Sequence, residues 1–293
     1  MGRDLTQDYF GVTPISSRRN PLVRSVRQLH TASGRRQRLE ALLEGTHLLE
    51  EALRLGLVPE TILATPSWLA RHRELISRVP VRSRVQDVTP EVLEHCATTQ
   101  HPDGVLLTLA TASLPHTVTA DRHAEFILAL DQPQDPGNLG TLLRTALAAG
   151  MDEVWIIEGA DPWQPKVMRA SSGAVLQMPT LRLKRPDILG KLASVKDAGV
   201  QVIATLVPGG GNPVVPYWSV DWTRPSLVLL GNEGAGLSAE LVAQADHRVT
   251  IPHSPRVESL NLAAAAAPLL LERWRSRHGR KPGSSEGENG AQT

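Results

Sequence analysis

The chain has 293 residues, of which 41% are hydrophobic and 21% charged, and its formal net charge at pH 7 is +1. This length suits two ordinary domains, and the composition is typical of a soluble globular protein. The single cysteine, Cys96, excludes an internal disulfide framework, and the longest apolar run, around residues 262–271, is too short to span a bilayer. Because no signal peptide is recognisable, we expect a cytoplasmic protein with no membrane span.

The first half of the chain predicts a small α/β domain. Asn20 and Pro21 are typical of a helix start, so a helix is predicted over 20–30. Apolar residues keep helical spacing over 35–56, where Gly56 is a suitable stop. Shorter elements follow, with strands predicted at 60–65, 79–85 and 104–110 and helices near 66–77 and at 89–97.

The second half alternates strands with helices, and its strands are nearly continuous apolar runs. Such runs indicate strands covered on both faces, and the alternation predicts a parallel sheet. The predicted strands are 125–131, 153–158, 179–183, 200–206, 226–232 and 247–252, and the predicted helices are 139–149, 165–175, 186–198 and about 260–277.

Composition divides the chain into five segments. The linker is polar and contains Pro115, and the tail is rich in Gly, Ser and Glu, as disordered segments are. The segments are a flexible N-terminus at 1–19, an N-terminal domain at 20–112, a linker at 113–122, a second domain at 123–278 and a disordered tail at 279–293.

A cluster of seven arginines with no acidic residue among them lies near the N-terminus. A solvated helix face is one interpretation. A nucleic-acid contact is the other, because the guanidinium fork binds phosphate well. Aromatic residues are scarce here, so base stacking is not expected to be the main device. The cluster comprises Arg18, Arg19, Arg24, Arg27, Arg35, Arg36 and Arg38.

Three loops at predicted strand ends are unusual, and the carboxyl ends of parallel strands are where ligands bind in such sheets. The first loop follows the strand at 125–131, and its proline and glycine predict a rigid turn. A capping role for Asp135 or Asn138, with Arg144 as a surface charge, is one interpretation. The other makes Arg144, near the start of an apolar helix, a contact for an oxyanion or phosphate.

The second loop lies in "LLGNEGAGLS", residues 229–238. Its three glycines permit positive φ and close approach of a ligand to the backbone. The plainer interpretation is a glycine-rich turn with an exposed Glu233. Neither GxGxxG nor GxxxxGK[ST] occurs in the chain, which disfavours dinucleotide and P-loop sites.

The third loop precedes the last predicted helix. Ser259 and Asn261 stand at the helix start, and a cap accounts for only one of them. Pro268 lies inside the predicted helix and should kink it.

Other chemistries find little support. The ten histidines show neither HExxH nor Cys/His spacing, so no metal site is predicted. No GxSxG elbow stands between a predicted strand and a predicted helix, and Cys96 is expected to be buried rather than nucleophilic.

The three loops together resemble the three signature motifs of the SpoU/TrmH family, which are 2′-O-ribose RNA methyltransferases of the SPOUT superfamily. The matching stretches are "LDQPQDPGNLGTLLRTALAAG", "LVLLGNEGAGLS" and "IPHSPRVESLNLAAAAAPLLLE", with "KVMRASSGAVLQMP" between the first two. The opening stretch "NPLVRSVRQL" and the segment "LLEGTHLLEEALRLGLVPETILAT" resemble the family's N-terminal substrate-binding domain. The resemblance covers roughly residues 20–275.

The resemblance implies a parallel-sheet α/β SPOUT fold with a C-terminal trefoil knot, preceded by a smaller α/β domain that binds RNA. It further implies S-adenosylmethionine as cofactor, RNA as partner and a homodimer built around the knot. Its implied cofactor contacts are Thr205, Gly231, Ile251 and Leu260. Its implied catalytic positions are Asn138, Arg144, Glu233, Ser259 and Asn261, with Glu233 holding the loops together.

Arg144 is often proposed as the base in this family. Arginine is protonated under almost all protein conditions. Our hypothesis is that Arg144 grips the target phosphate and favours the ionised 2′-oxygen.

Several functions stay open at this stage. Methylation of ribosomal RNA is favoured because family members that act on it often carry a separate N-terminal domain. Methylation of transfer RNA is a close variant. A non-catalytic RNA-binding or ribosome-assembly factor is the alternative from another class, and a nucleotide-binding metabolic enzyme is remote.

Overall fold

The computed structural model describes residues 13–115, 124–208 and 213–279. The predicted flexible N-terminus lies outside these residues over 1–12, the linker over 116–122, and the tail over 280–293. Two sheets organise the described chain, one with four strands and one with seven.

The N-terminal unit is built on the four-stranded sheet, whose strand order is β1-β4-β2-β3. Strands β1 and β4 are antiparallel, as are β2 and β4, whereas β2 and β3 are parallel. Side-chain caps begin several helices; Asn20 Oδ1, for example, accepts from Leu22 N at 2.8 Å. The elements are α1 (Pro21–Gln28), α2 (Ala32–Arg38), β1 (Glu40–Glu44), α3 (Thr46–Arg54), β2 (Thr61–Ala64), α4 (Pro66–Arg71), α5 (Arg73–Ser77), β3 (Arg84–Asp87), α6 (Pro90–Cys96) and β4 (Val105–Ala110).

The single helix predicted over 35–56 is wrong, because strand β1 interrupts it. Leu39 takes a left-handed conformation with φ of 55°, which ends α2, and Gly45 has φ of 106°, which ends β1. Between them Leu42 packs into one core cluster and Leu43 into another, on opposite faces of the strand. Pairing with β4 and burial on both faces override the helical propensity of this segment.

The second unit is built on the seven-stranded sheet, with strand order β7-β6-β5-β10-β8-β11-β9. Every strand pair in it is parallel, as the sequence predicts. Its elements are β5 (Phe126–Asp131), α7 (Pro136–Ala148), β6 (Glu153–Ile157), α8 (Pro165–Ala170), β7 (Thr180–Leu183), α9 (Ile188–Asp197), β8 (Gln201–Thr205), β9 (Val215–Pro216), β10 (Ser226–Leu230), α10 (Ala239–Ala243), β11 (His247–Thr250) and α11 (Leu262–His278).

The last helix, α11, continues through Pro268 rather than ending there. It begins at Asn261, whose side chain accepts hydrogen bonds from Ala263 N and Ala264 N. Its buried residues, among them Leu269 and Leu270, join the main core, and the helix packs against α7. The helix therefore fixes Asn261 beside the start of α7.

Candidate active site

The site lies where β5, β10, β8 and β11, consecutive neighbours in the sheet, end at the same edge. Parallel strands bring their carboxyl ends together, so the loops that follow them converge. We call these the first loop (residues 132–135), the glycine loop (residues 231–238) and the third loop (residues 251–261).

Glu233 joins the glycine loop to the first loop. Its carboxylate accepts from Gln134 N at 3.1 Å, from Asp135 N at 3.3 Å and from Asn138 Nδ2 at 3.2 Å. Burial alone would raise the pKa of Glu233, but these hydrogen bonds outweigh it and lower the pKa below the usual glutamate range. Glu233 therefore carries its negative charge at the N-terminus of α7, where the helix dipole also favours an anion.

Asn138 and Asn261 extend the connection to the third loop. Asn261 Nδ2 donates to Asn138 Oδ1 at 3.1 Å, while Asn261 Oδ1 caps α11. Asp135 is the N-cap of α7 and accepts from Asn138 N at 2.8 Å. Of the two capping candidates, Asp135 is thus the cap, and Asn138 is left to link Glu233 with Asn261.

The glycine loop closes on itself. Asn232 N and Gly236 N each donate to the other residue's carbonyl at 3.0 Å, and Gly236 has φ of 69°. A Cβ on Gly231 would lie 2.3 Å from Gly236 C and 2.3 Å from Leu237 N. The close approach that Gly231 permits is therefore to the loop's own backbone, which is a different reason for glycine from the approach of a ligand.

The far end of the glycine loop is anchored by residues that the sequence analysis missed. Buried Asp131, the last residue of β5, accepts from Ser238 N at 3.0 Å and from Arg185 Nη2 at 2.5 Å. Arg185 also pairs with Glu240 at 3.2 Å. A carboxylate ending an otherwise apolar strand was the sequence signal for Asp131.

Arg144 lies on the exposed side of α7, nearly two turns after Asn138. Its Nη1 donates to Ser172 Oγ at 3.2 Å. Ser172 is not among the predicted site residues, although it lies in the segment between the first and second motifs. Ser172 has φ of 48°, a rare conformation for a residue other than glycine.

The candidate cofactor residues lie at adjacent strand ends. Thr205 ends β8 and pairs in register with Val249 of β11, so Ile251 follows at the same edge on one side of β8, and Gly231 follows β10 on the other side. Thr205 Oγ1 is buried and has no hydrogen-bond partner among the described residues. A buried hydroxyl of this kind fits a polar group of a bound ligand.

Leu260 of the third loop offers a different surface, because its side chain is 38% exposed. Exposed Val257 lies in the same loop. A ligand with an apolar part would cover such side chains, so backbone, hydroxyl and apolar groups suited to a nucleoside derivative are all present.

Ser259 is exposed and, within the described chain, is not hydrogen-bonded to the Glu233–Asn138–Asn261 network. The structure therefore brings together Glu233, Asn138 and Asn261, places Arg144 farther along α7 where it contacts Ser172, and leaves Ser259 exposed in the third loop.

The arginine cluster is divided by the structure. Arg18, Arg19, Arg24, Arg27 and Arg36 are exposed. Arg38 is half-buried and pairs with Glu40 at 3.0 Å. These positions remain compatible with the predicted RNA contact.

Arg35 corrects that prediction. Its side chain is only 6% exposed and forms an ion pair of 2.6 Å with Asp161 of the second unit. Its Nη1 also donates to the carbonyl of Leu29 at 2.9 Å. Because the guanidinium is buried and donates to Asp161 and to two backbone carbonyls, Arg35 joins the two units and is not available to a phosphate.

The structure offers no support for a thiol nucleophile, a metal centre or a membrane span among the described residues. Burial raises the pKa of the Cys96 thiol to about 11, which makes it a poor nucleophile at neutral pH. Within the described ranges no cluster of three or more His, Cys, Asp or Glu suits a metal ion. No helix in the described part of the chain has both the length and the hydropathy needed to cross a membrane.

The architecture is that of SPOUT-class RNA methyltransferases. The solved structure of an AdoMet-bound rRNA methyltransferase from Sinorhizobium meliloti matches with a TM-score of 0.78 and 31% identity, covering 90% of this chain and 97% of that chain. The chain belongs to the SpoU rRNA Methylase family, whose model matches residues 125–271. A model of the MRM3-like substrate binding domain matches residues 20–107.

Two methyltransferases are similar in sequence to this chain over most of their own length. An uncharacterized tRNA/rRNA methyltransferase of Synechocystis is 41% identical over 93% of this chain and 96% of its own. The 23S rRNA (guanosine(2553)-2′-O)-methyltransferase RlmP of Bacillus subtilis is 33% identical over 87% of this chain and 97% of its own. The resemblance drawn from the motifs is thereby confirmed, as is the SPOUT α/β fold with a smaller N-terminal α/β unit.

Proposed function

We propose that this protein uses S-adenosylmethionine to methylate a ribose 2′-hydroxyl in RNA, with ribosomal RNA as the substrate class. The observation that carries the proposal is the hydrogen-bonded series Glu233–Asn138–Asn261, which joins the three motif loops at one edge of the sheet. The family match and the activity in the name of the Bacillus subtilis relative support the reaction and the ribosomal substrate.

The cofactor would be held at the ends of β10, β8 and β11. The backbone at Gly231 and Ile251, the apolar side chain of Leu260 and the unpartnered hydroxyl of Thr205 form its surroundings. When bound, S-adenosylmethionine supplies a methyl group on a positively charged sulfur, open to in-line attack by an oxygen.

Asn138, Glu233 and Asn261 act by holding the loops in one arrangement. Fixing two reactants in line supplies a large part of the rate acceleration in such displacements. The anionic Glu233 keeps Asn138 oriented, because its carboxylate takes one amide hydrogen and leaves the amide oxygen to Asn261. Ser259, exposed beside them, is assigned to substrate contact.

Arg144 is assigned to the ribose and its neighbouring phosphate. A guanidinium presents five donors in a planar fork and remains charged, so it binds phosphate and stabilises a developing oxyanion. Loss of the 2′-proton to solvent becomes easier beside this charge, and the hydroxyl becomes a better nucleophile.

RNA would also contact the N-terminal unit. The exposed arginines of α1, α2 and the preceding segment give it a basic surface without requiring base recognition. The residues assigned to this surface are Arg18, Arg19, Arg24, Arg27, Arg36 and Arg38.

The proposal includes a trefoil knot, a homodimer and a cytoplasmic location. The match to the SpoU rRNA Methylase family supports the knot, which the resemblance of the three motifs implies. Exposed Leu271 and Trp274 on α11 support burial of that helix against a second copy.

The test is methyl transfer from labelled S-adenosylmethionine to ribosomal RNA, to transfer RNA and to assembled ribosomal subunits, with Arg144→Ala alongside. Label in ribosomal RNA that is lost in the variant supports the proposal. Label in transfer RNA alone replaces the substrate class, and cofactor binding without transfer to any substrate favours a binding factor.

A further inference from the structure

The contact that fixes Arg144 comes from a turn outside the three motif loops. This turn, residues 169–177, is called the Ser172 turn, and its Ser172 Oγ accepts from Arg144 Nη1 at 3.2 Å. The turn is pressed against α7, because a Cβ on Gly140 would lie 2.5 Å from Ala170 Cβ. Arg144 and its acceptor therefore lie on two elements in close backbone contact.

The N-terminal unit holds one end of the Ser172 turn through Glu44. Arg169 Nη1 donates to Glu44 Oε1 at 2.7 Å, and the Glu44 side chain is only 3% exposed. Glu44 also accepts from Thr98 N at 3.1 Å and from Thr99 N at 3.2 Å. A buried carboxylate with this many donors is a rigid anchor.

The N-terminal unit holds the other end through Glu51 of α3. Gln177 Nε2 donates to Glu51 Oε1 at 2.8 Å. Gly173 is buried with φ of 83°, and a Cβ there would lie 2.7 Å from Glu51 Cγ. The residue directly after Ser172 therefore touches the N-terminal unit, and glycine is required for both its conformation and its closeness.

We propose that Ser172 is a positioning residue for Arg144, and that the N-terminal unit holds Ser172 in place through Glu44 and Glu51. This inference rests on the proposed function, in which Arg144 acts on the ribose and phosphate. An arginine side chain has many rotamers, and an acceptor fixed in space selects among them. The N-terminal unit thus contributes to the chemical step as well as to RNA binding.

The test compares two variants that both suit the left-handed backbone at position 172. Ser172→Gly removes the acceptor and relieves the strained φ, whereas Ser172→Asn tolerates this φ and supplies an amide oxygen. We expect kcat to fall about tenfold in Ser172→Gly with the KM for S-adenosylmethionine unchanged, and to recover largely in Ser172→Asn. A purely structural role predicts that the glycine variant is at least as stable and as active as wild type, and that result would overturn the inference.

A double variant tests the part played by the N-terminal unit. If Glu51 acts through Ser172, then adding Glu51→Ala to Ser172→Gly lowers kcat no further than Ser172→Gly alone. Additive losses would show that Glu51 acts by another route and would contradict the proposal.

A measurement without turnover separates this inference from the proposed function. Arginine-selective ¹⁵N NMR reports the rotation of the Arg144 guanidinium in wild type and in Ser172→Gly. Faster rotation in the variant supports positioning, and unchanged rotation overturns it, whether or not any RNA is methylated. A wild type that transfers no methyl group would contradict the proposed function instead.

Discussion

Glu233 is the one charged residue among the glycines of the glycine loop, and its hydrogen bonds explain why a carboxylate is needed there. One carboxylate accepts from two backbone N–H groups of the first loop and from the Asn138 amide, and it adds to the direct hydrogen bond from Asn232 Nδ2 to the carbonyl of Gln132. An uncharged amide offers only one acceptor atom at that place. The charge of Glu233 therefore holds the loops in place, and it acts on the reaction only through that arrangement.

Glu233→Gln should lower the free energy of unfolding by about 1 kcal/mol at neutral pH, since three hydrogen bonds to a partly exposed carboxylate are weakened. The pKa of Glu233 is lowered in the folded protein. Its contribution is therefore fully present above an unfolded value of about 4.3 and is lost as pH falls through the lower folded value. Urea unfolding of both proteins between about pH 7 and pH 3 measures this difference. A difference that grows towards acid would contradict the assignment.

The glycine loop is held closed by hydrogen bonds within the loop and to the end of β5. Its two ends are fixed by Asp131 at Ser238 and by the Asn232–Gly236 pairing, so the loop is a closed turn rather than a flexible lid. Its glycines are not equivalent. A Cβ on Gly231 would lie 2.3 Å from backbone atoms of the loop, whereas a Cβ on Gly234 would meet only Asn232 Oδ1 at 3.6 Å.

Gly231→Ala should therefore destabilise the protein by about 2 kcal/mol, since the added carbon overlaps backbone atoms that cannot yield cheaply. Cofactor affinity should fall at least about tenfold because the loop end moves. Gly234→Ala is the matched control, with a stability change within about 0.5 kcal/mol. Thermal unfolding and calorimetric titration with S-adenosylmethionine make the comparison. Equal effects of the two substitutions would show that loop closure does not explain Gly231.

Sequence patterns predicted the parallel sheet well and failed at β1. The strands of the second unit are apolar runs bounded by turn residues. Runs this short favour strands, because a buried helix usually needs about ten residues or more. Residues 40–44 consist of strong helix formers, and only their pairing with β4 makes them a strand. Such long-range pairing leaves no local mark in a single sequence.

The sequence predicted the motif residues of the site but not the contacts that depend on the folded structure. Asn138, Glu233 and Asn261 were found from their motifs, and the structure links them by hydrogen bonds. Ser172 was missed because its role depends on a backbone angle and on a helix more than twenty residues away. Arg35 was misplaced because burial against Asp161 is a property of the assembled units.

At the scale of the whole molecule, the two units share one core and are joined by charged contacts. The main apolar cluster includes Leu43 and Leu107 of the N-terminal sheet together with Val167 and Met168 of α8. The buried Arg35–Asp161 pair lies at this junction. The two units are therefore expected to unfold together.

Arg35→Met should lower the stability of the protein, whereas Arg36→Met should weaken its binding to RNA. Arg35→Met leaves Asp161 without its buried partner and should cost about 3 kcal/mol of stability. Arg36 is exposed, so Arg36→Met should change stability by less than about 0.5 kcal/mol. It should instead weaken RNA binding and reduce the slope of log affinity against log salt by about 0.7 to 0.9. Urea unfolding and RNA titrations at several salt concentrations distinguish the two. A lower salt slope for Arg35→Met would restore Arg35 to the RNA surface.

The three joined loops are proposed to direct a methyl group to a ribose oxygen of RNA. The most direct measurement is alkaline hydrolysis of RNA labelled by the protein from methyl-labelled S-adenosylmethionine, followed by mapping of the labelled product. A 2′-O-methyl group blocks cleavage at its own phosphate, so we expect label in one alkali-resistant dinucleotide and loss of that label in Asn138→Ala and Arg144→Ala. Label recovered only in mononucleotides with a methylated base would contradict it.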